Sequence, residues 1–412
     1  MDKERLTLEI PYGMRDFLPT EAAEKRAIEA ELAALFAEWG YDEVVTPTIE
    51  YLDNLTLGAS RALEPHLFKL FDKDNRTLAL RHEMTTPIAR LAASRLRDYP
   101  QPLKLSYVSS VFRYEQTQAG RQCEFHQAGV ELMGSATAFA DAEVIALAIQ
   151  GLLRAGLTDF TICLGQVEFV SGIMNQYQLT DETKQTLQTA LEKHDLVSFD
   201  RAIAALDLPE KAKKTLGYLP VLNGGAEMLK KSYTLALNEQ SRRALDNLAE
   251  IYRLLQSYGV EQYVRFDLGI IRDFSYYTGM VFEAYTPGLG FPLAGGGRYD
   301  HLLSDFGSAC PATGFAIGIE RILLALTRQG LEKPDQPRTS TSATRRAAST
   351  TPSRRRRSYA QAARSSSSRC CARRRTMPAR CSRRRATRAS STSHERAGAR
   401  APVRPRRHRA HG

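Results

Sequence analysis

At 412 residues the chain is long enough for two or three domains, each with its own core. The hydrophobic content is 43%, but no apolar run approaches the ~20 residues a membrane helix needs. The opening "MDKERLTLEIPYGMRDF" lacks the apolar core of a secretion signal, so a cytoplasmic protein is expected. The net charge of +11 is unevenly distributed: 23 of the 57 basic residues are arginines after Pro337, where Glu395 is the single acid. The part before them is therefore acidic and holds no general attraction for nucleic acid. The six cysteines are split between the two parts and show neither metal-ligand spacing nor a disulfide framework, so no metal or cofactor is expected.

In chain order, "TEAAEKRAIEAELAALFAEWG" predicts an amphipathic helix, with Thr20 as its cap, Ile28, Leu32, Leu35 and Phe36 as the buried stripe, and Gly40 closing it. "YDEVVTPTIE" reads as a strand interrupted by Pro47, which suits an edge. "LFKLFDKDNRTLALRHEMTTPIARLAASRL" reads as a strand pair followed by a helix that starts near Thr85–Pro87. "PLKLSYVSSVFRYE" and "CEFHQAGVELMG" are the arms of a long hairpin. A helix ("ATAFADAEVIALAIQGLLRAGL") and a strand ("DFTICLGQ") follow. Residues 175–257 are almost wholly helical in pattern and read as an insertion. Strands return at "QYVRFDLG" and "TGMVFEAY". The turn "LAGGGRYDHLL" is not a P-loop, because it lacks the Gly-Lys-Ser/Thr ending. "ATGFAIGIERILLALTRQG" runs from strand into helix. Strands mixed with helices, without regular βαβ repeats, indicate an α+β protein. The organisation expected is a discontinuous core over 1–174 and 258–330, the insertion at 175–257, and a low-complexity Arg/Ser/Ala tail over 331–412. Two readings fit the tail: a disordered basic arm that binds RNA, or the product of a reading-frame shift in GC-rich DNA, which would account for its lack of Lys.

The second arm of the hairpin carries the chemistry. Alternation puts Phe125, Gln127, Gly129 and Glu131 on one face and His126, Ala128, Val130 and Leu132 on the other. Arg113 and Glu115 share a face of the first arm. Arg, Glu and Gln around a glycine suit a small zwitterion, although a solvated polar face would have the same pattern. His126, on the apolar face, reads as a core histidine with its hydrogen bonds satisfied.

"FRYE…GR…EFHQ…E" resembles the second signature motif of class II aminoacyl-tRNA synthetases in its histidyl version. "GFAIGIERILLAL" resembles the third, and "GYDEVVTPTIEY", with Pro47, resembles the first, which builds the dimer interface. "LRHEMTTP" and "IIRDFSYYTGMVFE" resemble the histidine-binding segments. The resemblance covers about residues 8–330. It implies an antiparallel sheet flanked by helices, with a site on the sheet face. By that resemblance Glu83, Thr85 and Gln127 hold the α-amino group of histidine. Glu131, Tyr276 and Tyr277 face the ring, and Arg272 meets the carboxylate. Arg113, Arg121 and Arg321 match ATP-phosphate ligands.

The departures concern ATP chemistry. Gln116 and Cys123 stand where the synthetases carry arginine, and each loss removes a cation worth roughly 1.5–3 kcal/mol beside a triphosphate. Asp273 and Ser275 replace the Gly and Asp of the synthetase motif, and no anticodon-binding pattern follows Gly330. Such a sequence is more similar to the family's non-catalytic branch, the regulatory subunits of ATP phosphoribosyltransferase. That resemblance implies a hetero-oligomer with a short-form catalytic subunit, self-association through the core dimer interface, L-histidine as effector, residual ATP-phosphate groups, and no tRNA partner. The competing reading is a histidyl-tRNA synthetase whose anticodon domain was lost to a frame shift.

Overall fold

A computed structural model describes residues 8–57, 61–114, 122–270 and 277–331. All of them belong to the first of two units into which the chain divides, residues 1–336. The expectations for Arg121, Arg272 and Tyr276, for Gln116, Asp273 and Ser275, and for the tail beyond Leu331 fall outside the described residues.

The first helix, α1, spans Pro19–Glu38. Its N-cap is Leu18, and Thr20 lies within the first turn. The cap expected at Thr20 is thus displaced: Pro19 begins the helix, and the Glu21 carboxylate accepts the Leu18 N–H at 3.2 Å. Gly40 follows with φ +79°, the left-handed conformation that releases the chain from the helix.

The stretch read as one strand around Pro47 is two. Strand β1 (Asp42–Glu43) pairs with β5 (Leu103–Phe112), whereas β2 (Ile49–Tyr51) joins β3 (Lys69–Phe71) and β4 (Thr77–Leu80) in a separate three-stranded sheet. Proline removes a ladder donor, so the chain leaves one sheet before entering the other. Strands β5 (Leu103–Phe112) and β6 (Glu124–Met133) form the hairpin.

The remaining strands are β7 (Thr161–Gln166), β8 (Asn223–Gly224), β9 (Val264–Asp267), β10 (Met280–Tyr285), β11 (Ala294–Arg298) and β12 (Ala312–Gly318). Among the described residues they extend the large sheet in the order β1-β5-β6-β12-β11-β10-β7-β9-β8. Pairing is antiparallel except for β1 with β5 and β7 with β9, so the sheet expected to be antiparallel is mixed at two joints. The region 175–257 is mainly helical but contributes β8, which adds to the edge at β9.

One face of the sheet is packed by α1, by the helix Ala138–Arg154, by Glu239–Tyr258 and by the last helix, Ile319–Gln329, over a continuous apolar core that includes Ala128, Val130 and Leu132. Beneath the opposite face, Tyr107, Tyr299 and Met84 belong to a second, smaller core. Ala128, Val130 and Leu132 of β6 are therefore committed to the main core, and Gly129 and Glu131 face the other way.

Candidate functional site

The odd-numbered face of β6 is where the polar residues meet. Its register sets Glu131 between Leu105 on β5 and Gly314 on β12, and Gly129 between Tyr107 and Ala316. The missing side chains are what make space here. A Cβ on Gly314 would collide with Glu131 Oε2 and the Val130 carbonyl, and one on Gly129 would lie 2.5 Å from the Tyr107 hydroxyl. A Cβ on Gly297, one strand further, would meet the Tyr277 ring at 2.9 Å. The three glycines thus let a carboxylate and two phenols lie flat across the sheet.

Glu131 is 1% exposed. Its Oε1 accepts the Thr85 hydroxyl at 2.8 Å, and its Oε2 accepts the Tyr299 hydroxyl. Among the described residues no Lys or Arg forms an ion pair with it; the one charge acting on it is another acid, Glu83. Burial pushes its carboxyl up to about 8, against the two hydroxyl bonds, and Glu83 pushes the same way. The buried Tyr107 phenol is held well above its usual range by burial, then by Glu131, Glu83 and Tyr277.

Of the residues singled out from the sequence, Thr85, Glu131 and Tyr277 are therefore neighbours, with Gln127 two positions along the same strand face. The Gln127 Oε1 atom is buried and finds no donor among the described residues. Such an atom costs about 1–3 kcal/mol until something binds it. Glu83 caps the helix Thr85–Ser94, accepting the N–H groups of Thr85 at 2.5 Å and Thr86 at 2.9 Å. A carboxylate at that helix end is favoured by the helix dipole.

The arginines are disposed differently. Arg113 donates from Nε to the His82 carbonyl at 3.0 Å and lies over the Phe125 ring. Arg321 donates to the Pro292 carbonyl at 2.5 Å and lies over Phe291. It lines a cavity of about 510 Å³ beside α1 and the last helix, together with Arg15, Glu21, Gln122 and Glu320. None of Thr85, Gln127, Glu131 and Tyr277 lines that cavity. Cys123 is wholly buried. Its N–H donates to the Gly13 carbonyl at 2.7 Å, and a Cβ on Gly13 would collide with its sulfur. His126 is satisfied, with Nε2 3.0 Å from Ser110 Oγ and Nδ1 2.8 Å from Glu320, whose carboxylate also accepts the His126 N–H at 2.9 Å.

Two residues that the sequence pattern did not single out belong to this site: Tyr107 and Tyr299. Tyr299 directly follows β11: the "GGGRYD" segment expected to be a turn instead runs as strand through Arg298. The neighbouring Arg298 is fixed by Asp141 at 2.8 Å, by Asp300 at 3.0 Å and by the Ser135 carbonyl at 3.0 Å. A buried arginine so thoroughly paired is a device for placing backbone. The clue available in the sequence was an Arg-Tyr-Asp run directly after three glycines in a strand.

The family model for histidyl-tRNA synthetase matches residues 13–322. An ATP phosphoribosyltransferase regulatory subunit of Moorella thermoacetica is 46% identical over 320 residues, covering 78% of this chain and 82% of that one. A crystal structure of an ATP phosphoribosyltransferase regulatory subunit/histidyl-tRNA synthetase from Bacillus halodurans superimposes with a TM-score of 0.74 at 41% identity, covering 77% of this chain and 83% of that one. A histidine–tRNA ligase subunit from Alicyclobacillus acidocaldarius gives a TM-score of 0.67 at 29% identity, over 78% of this chain and 98% of that one. A histidyl-tRNA synthetase family model over most of the chain, the matching fold and this level of identity make the chain a member of the ATP phosphoribosyltransferase regulatory subunit family.

Proposed function

We propose that this chain is a non-catalytic, cytoplasmic subunit that assembles with a short-form ATP phosphoribosyltransferase catalytic subunit, is required for its activity in the first step of histidine biosynthesis, and makes it responsive to histidine. The observation that carries the reading is the enclosed Glu131 carboxylate, held by two hydroxyls with the unpaired Gln127 carbonyl on the same strand face. Such a set of groups suits an amino acid whose side chain carries a ring N–H. Glu83, Thr85, Gln127, Glu131, Tyr277 and, outside the described residues, Arg272 and Tyr276 are its proposed ligands. Arg113, Arg121 and Arg321 are remnants of a phosphate site. In support, Arg113 and Arg321 bond to backbone carbonyls, and Cys123 is sealed beneath the segment at Gly13.

Histidine in this pocket biases the hetero-oligomer toward a less active state. By reciprocity, substrates of the partner weaken histidine binding. Self-association uses the region of the three-stranded sheet, where Val45, Ile49, Tyr51 and Phe71 are exposed apolar residues.

The test mixes the purified chain with a short-form catalytic subunit and assays phosphoribosyl transfer with and without histidine. Activity is expected to appear on mixing and to fall with histidine. In the mixed system Tyr277→Phe blunts the inhibition and leaves assembly intact. Robust histidine-dependent ATP–pyrophosphate exchange, with no stimulation of the partner, would overturn this reading in favour of a synthetase.

A further inference from the structure

We propose that the site selects its ligand by proton affinity, and that the "GGGRYD" segment at the end of β11, through Tyr299, positions the carboxylate that performs the selection. The inference rests on the histidine reading above and extends it to a residue which that reading does not use. Glu131 is enclosed, each of its oxygens accepts one hydroxyl, and no cation of the described residues pairs with it. The groups facing it are Glu83 and Thr85 from the start of the helix Thr85–Ser94, Tyr107 from β5, Tyr277 ahead of β10, and Tyr299 after β11; β12 presents only Gly314. None of these supplies positive charge. Among the described residues, then, the positive charge that would balance an ionised carboxylate there comes from the ligand.

The proton balance is simple. An uncharged ring nitrogen enters opposite the protonated carboxyl; the Glu131 O–H bond breaks and a ring N–H bond forms. Nothing is exchanged with solvent. Free imidazole titrates near 6.5 and Glu131 near 8. Between those values the pair holds one proton before and after binding, and affinity is level. Above about 8 a proton must be taken up, and below about 6.5 one must be released, so affinity falls up to tenfold per pH unit on either side. Tyr299 keeps its place because Arg298 is locked between Asp141 and Asp300, and its hydroxyl favours the charged carboxylate.

The experiment is calorimetric titration of the full chain with L-histidine from pH 5.5 to 9.5, in buffers of differing ionisation heat, beside a triazole analogue of histidine whose ring is a much weaker base. The expected result is a plateau with two edges, no net proton exchange on the plateau, and analogue binding roughly ten- to hundredfold weaker. Tyr299→Phe retains the ring; it weakens histidine about tenfold and moves the upper edge to higher pH. Histidine binding with a flat profile and equal affinity for the analogue overturns this proposal alone. No binding at any pH overturns the histidine reading together with it.

Discussion

Glu131→Gln should free the protein from a pH dependence that its own site imposes. The Glu131 carboxyl moves from 4.5 to about 8 on folding, chiefly through burial. Between those values the folded chain holds a proton that the unfolded chain has released. Stability therefore falls as pH rises through this window, and it is highest below about 4.5. At 1.36 kcal/mol per pH unit, the full window corresponds to roughly 5 kcal/mol. Glutamine keeps the shape and stays neutral. It accepts through one atom only, as the protonated carboxyl does, so the exchange itself costs about 1 kcal/mol or less at low pH. Urea unfolding of both proteins at pH 5, 7 and 9, without histidine, isolates the effect because every other group titrates equally in the two. The variant should be slightly less stable at pH 5 and more stable by several kcal/mol at pH 9. A difference that stays constant from pH 5 to 9 would refute the reasoning, since it would mean that the carboxylate is ionised in the folded chain throughout.

Gly314→Ala places a methyl group against Glu131 Oε2 and the Val130 carbonyl, in two strands whose separation is set by their ladder. A loss of about 2–3 kcal/mol in urea unfolding is expected, with histidine binding reduced because the carboxylate is displaced. Cys123→Arg introduces the cation that the resemblance to the synthetases leads one to expect at that position, but here the side chain is enclosed beneath Gly13. It should cost about 3–5 kcal/mol as an unpaired buried charge and yield no ATP–pyrophosphate exchange, which parallel unfolding and exchange assays would check.

The distribution of these effects follows what a single sequence can report. Period-two alternation identifies a face, and it put Gln127, Gly129 and Glu131 together, opposite the apolar Ala128, Val130 and Leu132, as the core confirms. It does not identify what comes to lie across that face. Tyr299 reaches Glu131 over 168 residues of separation, through a β6-β12-β11 order that no local pattern announces. The same limit explains the smaller misses. Thr20 has the side chain of a cap, but Glu21 and Pro19 act on the same turn and set its start two residues earlier. Pro47 correctly marked a break, yet only the pairing partners show that the break separates two sheets. Cys123 is the more instructive case. Read along the chain it is an arginine lost from a phosphate site. In the fold its sulfur lies against the backbone at Gly13, so the space a guanidinium would need is filled by a remote segment. A missing charge can be restored by one substitution, whereas a filled space cannot. Placing a guanidinium at this position would therefore require moving the segment at Gly13 as well as replacing the side chain.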